Sequence, residues 1–448
     1  MKSVTELRYQ TKKQQTNLPR RSNSENSLNL GTAITEHDRK ISTLVCYIKR
    51  FMEKTGNSIK KRIKTVKRKA GATISKHVEI DFSSINGNAP DSDSSKKIGI
   101  YNDSWSFMGG GECHALSLVS ELEKKGTVYL IAETDFDLHE IESQFQIDLS
   151  SCRKLIMHDF NTTHTKSFDI FINACHRSNI NSLASISLYI VNFPHRRLSK
   201  TLLSSYYFLF NSEYTKKWAF KFWGKTVKGD TLYPIRMLQY KMNDNLSSKE
   251  KVILSVGRFF TGGHCKNQLK ILQVFKQVVT DNPEMCDWKL VIAGGLDMKS
   301  GPHTIYYNQI VSEANALNIE VLPNLRRDKL DALFQKSAFY LHAAGLGQKE
   351  SRRPENFEHF GITVLEATLS GCVPIVYNVA GPAEIVDKIG GGYIYDSEDS
   401  MYDVLLSMMN KFNKSNEVFQ LESAAIAANS RSFVKKESLK EIPCPSRR

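Results

Sequence analysis

Residues 354–377 read PENFEHFGITVLEATLSGCVPIVY, and this stretch decides the fold. Its middle predicts a helix from about Ile362 to Ser370, which Gly371 ends, and Val373 to Tyr377 predicts a buried strand directly after it. A helix that leads at once into an apolar strand is half of the repeating unit of a parallel α/β sheet. The neighbouring sequence continues this pattern.

The predicted strands are short apolar runs separated by helical or polar stretches. In the first half they are Ile98 to Tyr101, Val128 to Ala132, Leu155 to Met157, Phe168 to Ile172, Ser187 to Val191 and Tyr206 to Phe210, with a helix from Glu112 to Lys124. In the second half they are Val252 to Val256, Trp288 to Ala293, Ile319 to Leu322, Phe339 to Ala343 and Val373 to Tyr377, with a loop from Gly381 to Glu384. The sequence therefore predicts an α/β fold of two Rossmann-like domains facing a cleft, over residues 96–245 and 246–400. A basic extension (1–95) precedes them, and helices and a tail (401–448) follow.

The net charge of +14 is concentrated in the extension. Residues 1–96 contain 20 Lys and Arg against 9 Asp and Glu, which accounts for 11 of the 14 excess charges. Residues 38–69 combine basic side chains with short apolar stripes at helical spacing, which favours an anionic membrane surface as a partner. A solvated tail without a specific partner is an equal alternative, and nucleic acid is less favoured.

Composition otherwise indicates a cytoplasmic protein, peripheral on the inner face of a membrane if the extension binds lipid. No apolar run reaches the roughly 18 residues that span a bilayer, and Met1 to Gln15 is too polar for a secretory signal. The eight cysteines form no Cys-x-x-Cys pattern, which argues against a zinc site or a disulfide framework. We expect no metal and no cofactor.

The candidate site residues follow strand ends, where open parallel sheets bind ligands. Arg258, after Gly257, and Lys266 form a pair of cations that can neutralise a departing diphosphate. Glu358 lies just before the helix and Glu366 within it, so the two acids can address two parts of one long ligand. Between them, free backbone N–H groups at the start of the helix favour an anion; this start comprises Phe360, Gly361 and Ile362. His342 ends the preceding strand.

In this arrangement, Val252 to Val386 resembles the donor domain of retaining GT-B glycosyltransferases of family four. This family includes bacterial polysaccharide enzymes and the mannosyltransferases of lipid-linked oligosaccharides. Glu358 and Glu366 match its Glu-x7-Glu motif, and Arg258 and Lys266 match its phosphate-binding Arg and Lys at a wider spacing. The resemblance implies that Glu358 contacts the transferred sugar and Glu366 the ribose.

The resemblance extends more loosely to other parts of the chain. It implies that residues near Leu325 frame the base and that Gly110 and Gly111, in GGGE, belong to a glycine-rich loop on the acceptor side. Where the family often has a histidine two residues before a proline, this chain has Asn192, and His195 follows the proline. Either Asn192 hydrogen-bonds the sugar, which we favour, or His195 substitutes for the histidine, or activity is reduced.

Two further patterns are weaker. Asp135 and Asp137 fit the Asp-x-Asp pattern of metal-dependent transferases, but an acidic turn is the preferred interpretation. The glycine run at 109–111 lacks the spacing of a dinucleotide-binding motif.

These observations together predict the transfer of a hexosyl unit, mannosyl by resemblance, from a nucleotide-diphosphate sugar to a saccharide or lipid-linked acceptor. The transfer would retain the anomeric configuration, need no metal and serve polysaccharide biosynthesis. A nucleotide-sugar epimerase, a phosphorylase and a non-catalytic nucleotide-sugar-binding subunit are the alternatives on the same fold.

Overall fold

The computed structural model describes residues 95–235, 238, 248–315 and 317–442. All of these residues belong to one compact unit, Val78–Arg448. The predicted membrane-binding segment, residues 38–69, lies outside the described residues. Within the described ranges, no helix is long and apolar enough to cross a membrane.

Thirteen strands of the described residues form two parallel sheets. In chain order they are β1 Lys96–Tyr101, β2 Gly126–Ala132, β3 Arg153–Ile156, β4 Ile170–Asn173, β5 Ile186–Val191, β6 Tyr207–Phe210, β7 Gly229–Thr231, β8 Glu250–Val256, β9 Lys289–Gly294, β10 Ile319–Pro323, β11 Ser337–His342, β12 Val373–Tyr377 and β13 Tyr393–Tyr395. The first sheet has the order β3-β2-β1-β4-β5-β6-β7, and the second has the order β10-β9-β8-β11-β12-β13. All strand pairings in both sheets are parallel, which confirms the predicted α/β class.

Helices connect most of the strands. In chain order the α-helices of the described residues are α1 Gly110–Leu116, α2 Val119–Leu122, α3 Leu138–Phe145, α4 Lys200–Ser205, α5 Glu213–Trp223, α6 Gln268–Asp281, α7 Gly301–Ala314, α8 Arg327–Lys336, α9 Ile362–Leu369, α10 Ala380–Ile389, α11 Glu398–Lys414 and α12 Asn416–Ser438. A serine hydroxyl accepts a backbone N–H at the start of four of them, where the helix itself leaves donors without partners. These serines are Ser199, Ser212, Ser397 and Ser415.

The strand order reverses once in each sheet. β1 lies between β2 and β4, and β8 lies between β9 and β11. Connections leave such neighbouring strands towards opposite faces of the sheet, so a crevice opens at their carboxyl ends. In the second sheet this crevice lies beside Gly257, which follows β8, and His342, which ends β11.

Buried apolar side chains pack each sheet against its helices. In the second sheet, the fully buried Trp288 stacks on Phe339 of β11 at 5.4 Å and meets Phe412 of α11 edge-on at 5.1 Å. Aromatic pairs of this kind add about 0.5–1.5 kcal/mol to the stability that burial alone provides. A smaller cluster joins the two sheets and consists of Phe193, Tyr214, Trp218 and Phe357.

The structure corrects the predicted helix from Glu112 to Lys124. It is wrong in its extent, because the chain forms α1 and then the separate short α2. The break lies at Ser117, whose hydroxyl donates to the carbonyl of His114 at 2.6 Å. A serine hydroxyl that bonds the local backbone competes with the helical pattern.

The predicted loop from Gly381 to Glu384 is also wrong, because these residues form the first turn of α10. Pro382 is tolerated there because backbone N–H groups of the first turn have no acceptor within the helix. The short edge strands β7 and β13 are absent from the sequence prediction. β7 has the polar sequence Gly-Asp-Thr, which carries no apolar strand signal.

Candidate active site

Three charged or titratable side chains meet at the crevice of the second sheet. Lys266 Nζ donates to Glu358 Oε2, and His342 Nε2 lies 3.6 Å from the same oxygen. His342 is 3% exposed, and neither of its ring nitrogens forms a hydrogen bond with the described residues. A buried polar group without a partner is costly, so His342 is a candidate to bind a polar ligand.

The charges of this cluster follow from its burial and its contacts. Burial raises the pKa of Glu358, but the Lys266 ammonium and the neighbouring His342 outweigh this effect and hold it well below its ordinary value. Burial lowers the pKa of His342, and the carboxylate of Glu358 offsets this only in part. At neutral pH the cluster therefore contains an anionic Glu358 and a neutral imidazole.

The turn after β8 brings both predicted cations to this crevice. A Cβ atom on Gly257 would lie 2.5 Å from Lys266 Cγ, so a glycine is needed for the lysine side chain to pass. The side-chain amide of Gln268 donates to the carbonyls of Gly257 and Arg258, each at 3.0 Å, and fixes the turn. Arg258 is exposed to solvent. Burial is the main cause of the lowered pKa of His264, and the positive charges of Lys266 and Arg258 lower it further.

The start of α9 lies in the same region. Gly361 precedes the helix with a φ of 97°, a left-handed conformation that favours glycine. Phe360 is buried, and its backbone lies so close to α10 that only a glycine fits at position 381. The backbone N–H of Gly381 donates to the carbonyl of Glu358 at 3.0 Å, which holds Glu358 beside the helix.

Glu366 has a partner that the sequence analysis missed. Its side chain is 8% exposed, and its Oε1 lies 2.8 Å from Nη1 of Arg327, the first residue of α8. Leu325 is half-buried two residues earlier and packs against the core of this domain. The guanidinium of Arg327 therefore holds the predicted ribose-side acid, and the predicted base-side residue precedes Arg327 by two positions in the chain. Arg327 lies shortly after the end of β10. This position near a strand end is the sequence signal that could have marked Arg327 as a candidate site residue.

The predicted acceptor-side residues face this region from the first domain. A Cβ atom on Gly110 would lie 3.5 Å from Cδ1 of Ile362 in α9, and one on Gly111 would lie 2.7 Å from Nδ2 of Asn192. The glycine-rich turn thus lies between Asn192 and the start of α9. His195 lies beyond Asn192, in a surface pocket that Asn192 also lines.

Several contacts between the domains were not visible in the sequence. The Phe193 ring stacks on the imidazole of His359 with their centroids 4.3 Å apart. Glu384 accepts hydrogen bonds from the backbone N–H groups of Glu213 and Tyr214, at 3.0 and 3.2 Å, and from the Tyr233 hydroxyl at 2.6 Å. Glu384 therefore joins α10 to the start of α5 and to the segment that links the sheets.

The Asp-x-Asp pattern is an acidic turn in the structure. Asp135 pairs with Lys154 at 2.5 Å, and Asp137 accepts the backbone N–H of His139 at 2.8 Å at the start of α3. Over the described part of the chain, no group of three or more His, Cys, Asp or Glu side chains could hold a metal ion.

Residues 239–418 match the family model of glycosyl transferases group 1. A glycosyltransferase from Rickettsia africae ESF-5 is 12% identical with a TM-score of 0.52, over 77% of this chain and 94% of that chain. Anabaena HepE in complex with UDP and glucose is 12% identical with a TM-score of 0.52, over 76% of this chain and 95% of that chain. No curated protein sequence matches the chain.

At these identities the likeness to solved structures shows the fold, and the match to the family model covers the second sheet and the helices from α6 to α11. Residues 239–418 are therefore similar to the glycosyl transferases group 1 domain, and the chain has a GT-B fold.

Proposed function

We propose that this protein is a glycosyltransferase that moves a hexosyl unit from a nucleotide-diphosphate sugar to a saccharide or lipid-linked acceptor. The observation that carries the proposal is the contact of Lys266 with Glu358 beside the buried His342, at the strand-order reversal of the second sheet. A cation, an acid and a neutral imidazole at one crevice suit a ligand that has both a diphosphate and sugar hydroxyls.

In this proposal the diphosphate lies between Arg258, Lys266 and the start of α9. It replaces Glu358 as the partner of Lys266, because two anions compete for one ammonium. The released Glu358 and the neutral His342 then hydrogen-bond the sugar, Glu366 binds the ribose while Arg327 holds it in place, and Leu325 contacts the base.

During transfer, the bond between sugar C1 and the diphosphate oxygen breaks, and its electron pair leaves with the diphosphate. Arg258 and Lys266 neutralise the growing charge, which is the largest single contribution in reactions of this kind, so that no metal is required. The acceptor oxygen bonds to C1 from the same face, and its proton passes to the departing phosphate oxygen. This course retains the anomeric configuration.

The acceptor approaches from the first domain, past Gly110, Gly111 and Asn192. Closure of the two domains would exclude water from the crevice. We further propose that the enzyme works in the cytoplasm in polysaccharide assembly, with residues 38–69 on an anionic membrane surface. We also propose the limits of the two domains that the sequence analysis predicts.

The test is a product analysis with the purified full chain, UDP-glucose or GDP-mannose, and a panel of saccharide and lipid-linked acceptors. HepE is the reason to include UDP-glucose, because that fold neighbour has been solved in complex with it. We expect release of nucleoside diphosphate that rises with an acceptor, together with a new glycoside in the mass spectrum. Three results would contradict the proposal: a changed donor without an acceptor, which indicates an epimerase; a reaction that needs inorganic phosphate, which indicates a phosphorylase; or binding without turnover.

A further inference from the structure

A second group of basic side chains lies in the first domain, outside the donor region. His176 and Arg177 follow β4 and are exposed, His195 follows β5, and all three line the surface pocket that Asn192 also lines. The imidazoles of His176 and His195 are neighbours, with ring centroids 5.6 Å apart. The pocket lining contains no carboxylate.

The backbone of this pocket is held in place at several points. The Asn173 side chain accepts the N–H of Cys175 at 3.2 Å, and the Tyr189 hydroxyl can donate to the carbonyls of Cys175 and Ser178 at 3.2 and 3.3 Å. The Trp223 indole donates to the carbonyl of His195 at 2.7 Å. The segment that carries His176 and Arg177 is therefore anchored at both ends, and His195 is fixed opposite it.

Three features of the pocket remain without an explanation inside the protein. His195 Nε2 is buried and has no hydrogen-bond partner among the described residues. Arg177 is exposed to solvent, forms no ion pair with any described residue and has a φ of 64°, which is rare for a residue with a side chain. Backbone strain of this kind is concentrated at binding sites.

The acids that lie nearest are already occupied. Burial lowers the pKa of His176, and the charge of Glu112 offsets this only in part. The Glu112 carboxylate already accepts hydrogen bonds from the Asn102 amide at 3.1 Å and from the Gly109 N–H at 2.9 Å. Asp103 accepts the thiol of Cys175 at 2.9 Å. Burial, and then the neighbouring His176 and Arg177, lower the pKa of His195 to about 4. A bound anion would offset this unfavourable electrostatic environment.

We propose that this pocket binds a phosphate group carried by the acceptor, with Arg177 pairing its charge and the imidazole N–H groups of His176 and His195 donating hydrogen bonds. Asn192 and the glycine-rich turn lie between this pocket and the start of α9, so a phosphate held here leaves the rest of the acceptor directed towards the donor. The role of the phosphate as part of an acceptor rests on the proposed function; binding of the anion does not.

The experiment titrates inorganic phosphate into the full chain with ¹³C-labelled histidine and follows the His176 and His195 imidazole signals by NMR. These signals are assigned with the variants His176→Gln and His195→Gln. We expect saturable shifts of both signals. Arg177→Gly keeps the left-handed backbone and should weaken phosphate binding by about tenfold or more, since it removes a charge-assisted hydrogen bond.

The control is Arg258→Ala, which alters the donor region and should leave these shifts unchanged. Shifts that disappear in Arg258→Ala but persist in Arg177→Gly would overturn the proposal, as would the absence of saturation. Hexose 6-phosphate and octyl phosphate are then added as competitors. Displacement mainly by the first assigns a soluble sugar phosphate, displacement mainly by the second assigns a lipid phosphate, and displacement by neither overturns the acceptor role.

UDP and GDP binding is measured on the same samples. Phosphate binding without nucleotide binding would contradict the proposed transferase but not this pocket, and nucleotide binding without phosphate binding would contradict the pocket alone.

Discussion

Arg327 and Glu366 form an ion pair at 2.8 Å, in which the carboxylate is almost completely buried and the guanidinium is one quarter exposed. Burial disfavours the charge of Arg327, but Glu366 and Asp331 outweigh this and raise its pKa above the ordinary value. The second acid of the Glu-x7-Glu pair is therefore fixed by a residue from a different helix before any ligand binds. Removal of the arginine would leave a buried carboxylate without this partner.

Arg327→Met should accordingly lower the free energy of unfolding by about 2 kcal/mol, less than for a fully buried pair because water reaches part of the guanidinium. It should also weaken nucleoside diphosphate binding. Urea unfolding and calorimetric titration measure the two effects. The matched control is Arg326→Met: the Arg326 side chain is 80% exposed and its ion pair with Asp328 is open to solvent, so its loss should leave stability nearly unchanged. Equal stability of the two variants would contradict this account.

The glycine-rich turn gives a second matched pair of variants. A methyl group at Gly111 would lie 2.7 Å from the Asn192 amide and would displace it, whereas one at Gly110 would make an ordinary contact with Ile362 at 3.5 Å. Gly111→Ala should reduce turnover by about tenfold or more, because small displacements of a positioning group are costly in catalysis. Gly110→Ala should stay within about threefold of wild type, as measured by nucleoside diphosphate release. Indistinguishable kinetics for the two variants would remove Asn192 from the active site.

The hydrogen bonds of Glu384 indicate that this residue holds the two domains together. Glu384→Ala removes the acceptor of three hydrogen bonds and leaves the first N–H groups of α5 without a carboxylate. We expect a loss of about 2 kcal/mol in the free energy of unfolding. Asp387→Ala, one turn later on the same helix and exposed, should cost less than about 0.5 kcal/mol. If urea unfolding shows no difference between these variants, Glu384 does not hold the domains together.

The lowered pKa of Glu358 predicts a pH dependence of stability. An unfolded glutamate has a pKa near 4.5, and the folded value lies well below it, so the unfolded chain takes up the proton first. The stabilisation is fully present above the unfolded value and is lost as the pH falls through the folded one. The difference in unfolding free energy between wild type and Glu358→Gln should therefore shrink below about pH 4.5.

Glu355→Gln is the control for this measurement, since Glu355 pairs with partly exposed arginines near the domain contact and not with Lys266. The difference in unfolding free energy between Glu355→Gln and wild type should not show the pH dependence expected for Glu358→Gln. A Glu358→Gln difference that stays constant from pH 7 to pH 3 would show that Lys266 does not set the charge of this acid.

The parts of the site that follow strand ends could be predicted from the sequence. Lys266, Glu358 and His342 lie far apart in the chain, but parallel strands have their carboxyl ends at one edge of the sheet. An apolar run marks each of these strands, so the positions that follow them can be assigned to that edge.

The pairing of Glu366 with Arg327 could not be predicted in the same way, because it depends on how α8 and α9 are oriented against each other. The stacking of Phe193 on His359 and the contacts of Glu384 depend on the relative placement of two domains, which no local pattern encodes. The first turn of α10 was predicted as a loop because Gly and Pro within four residues resemble a turn, although the first turn of a helix tolerates both.

We propose that Lys266 and its neighbours hold a nucleoside diphosphate, and a direct measurement of nucleotide binding tests this proposal. We expect calorimetry with UDP and GDP to show saturable binding of at least one by the wild-type chain. Lys266→Ala should weaken that binding about tenfold or more, and Lys270→Ala, one turn along α6 and paired with Glu398, should leave it unchanged. Equal affinity of the Lys266→Ala and Lys270→Ala variants, or no binding of either nucleotide by the wild type, would contradict the account.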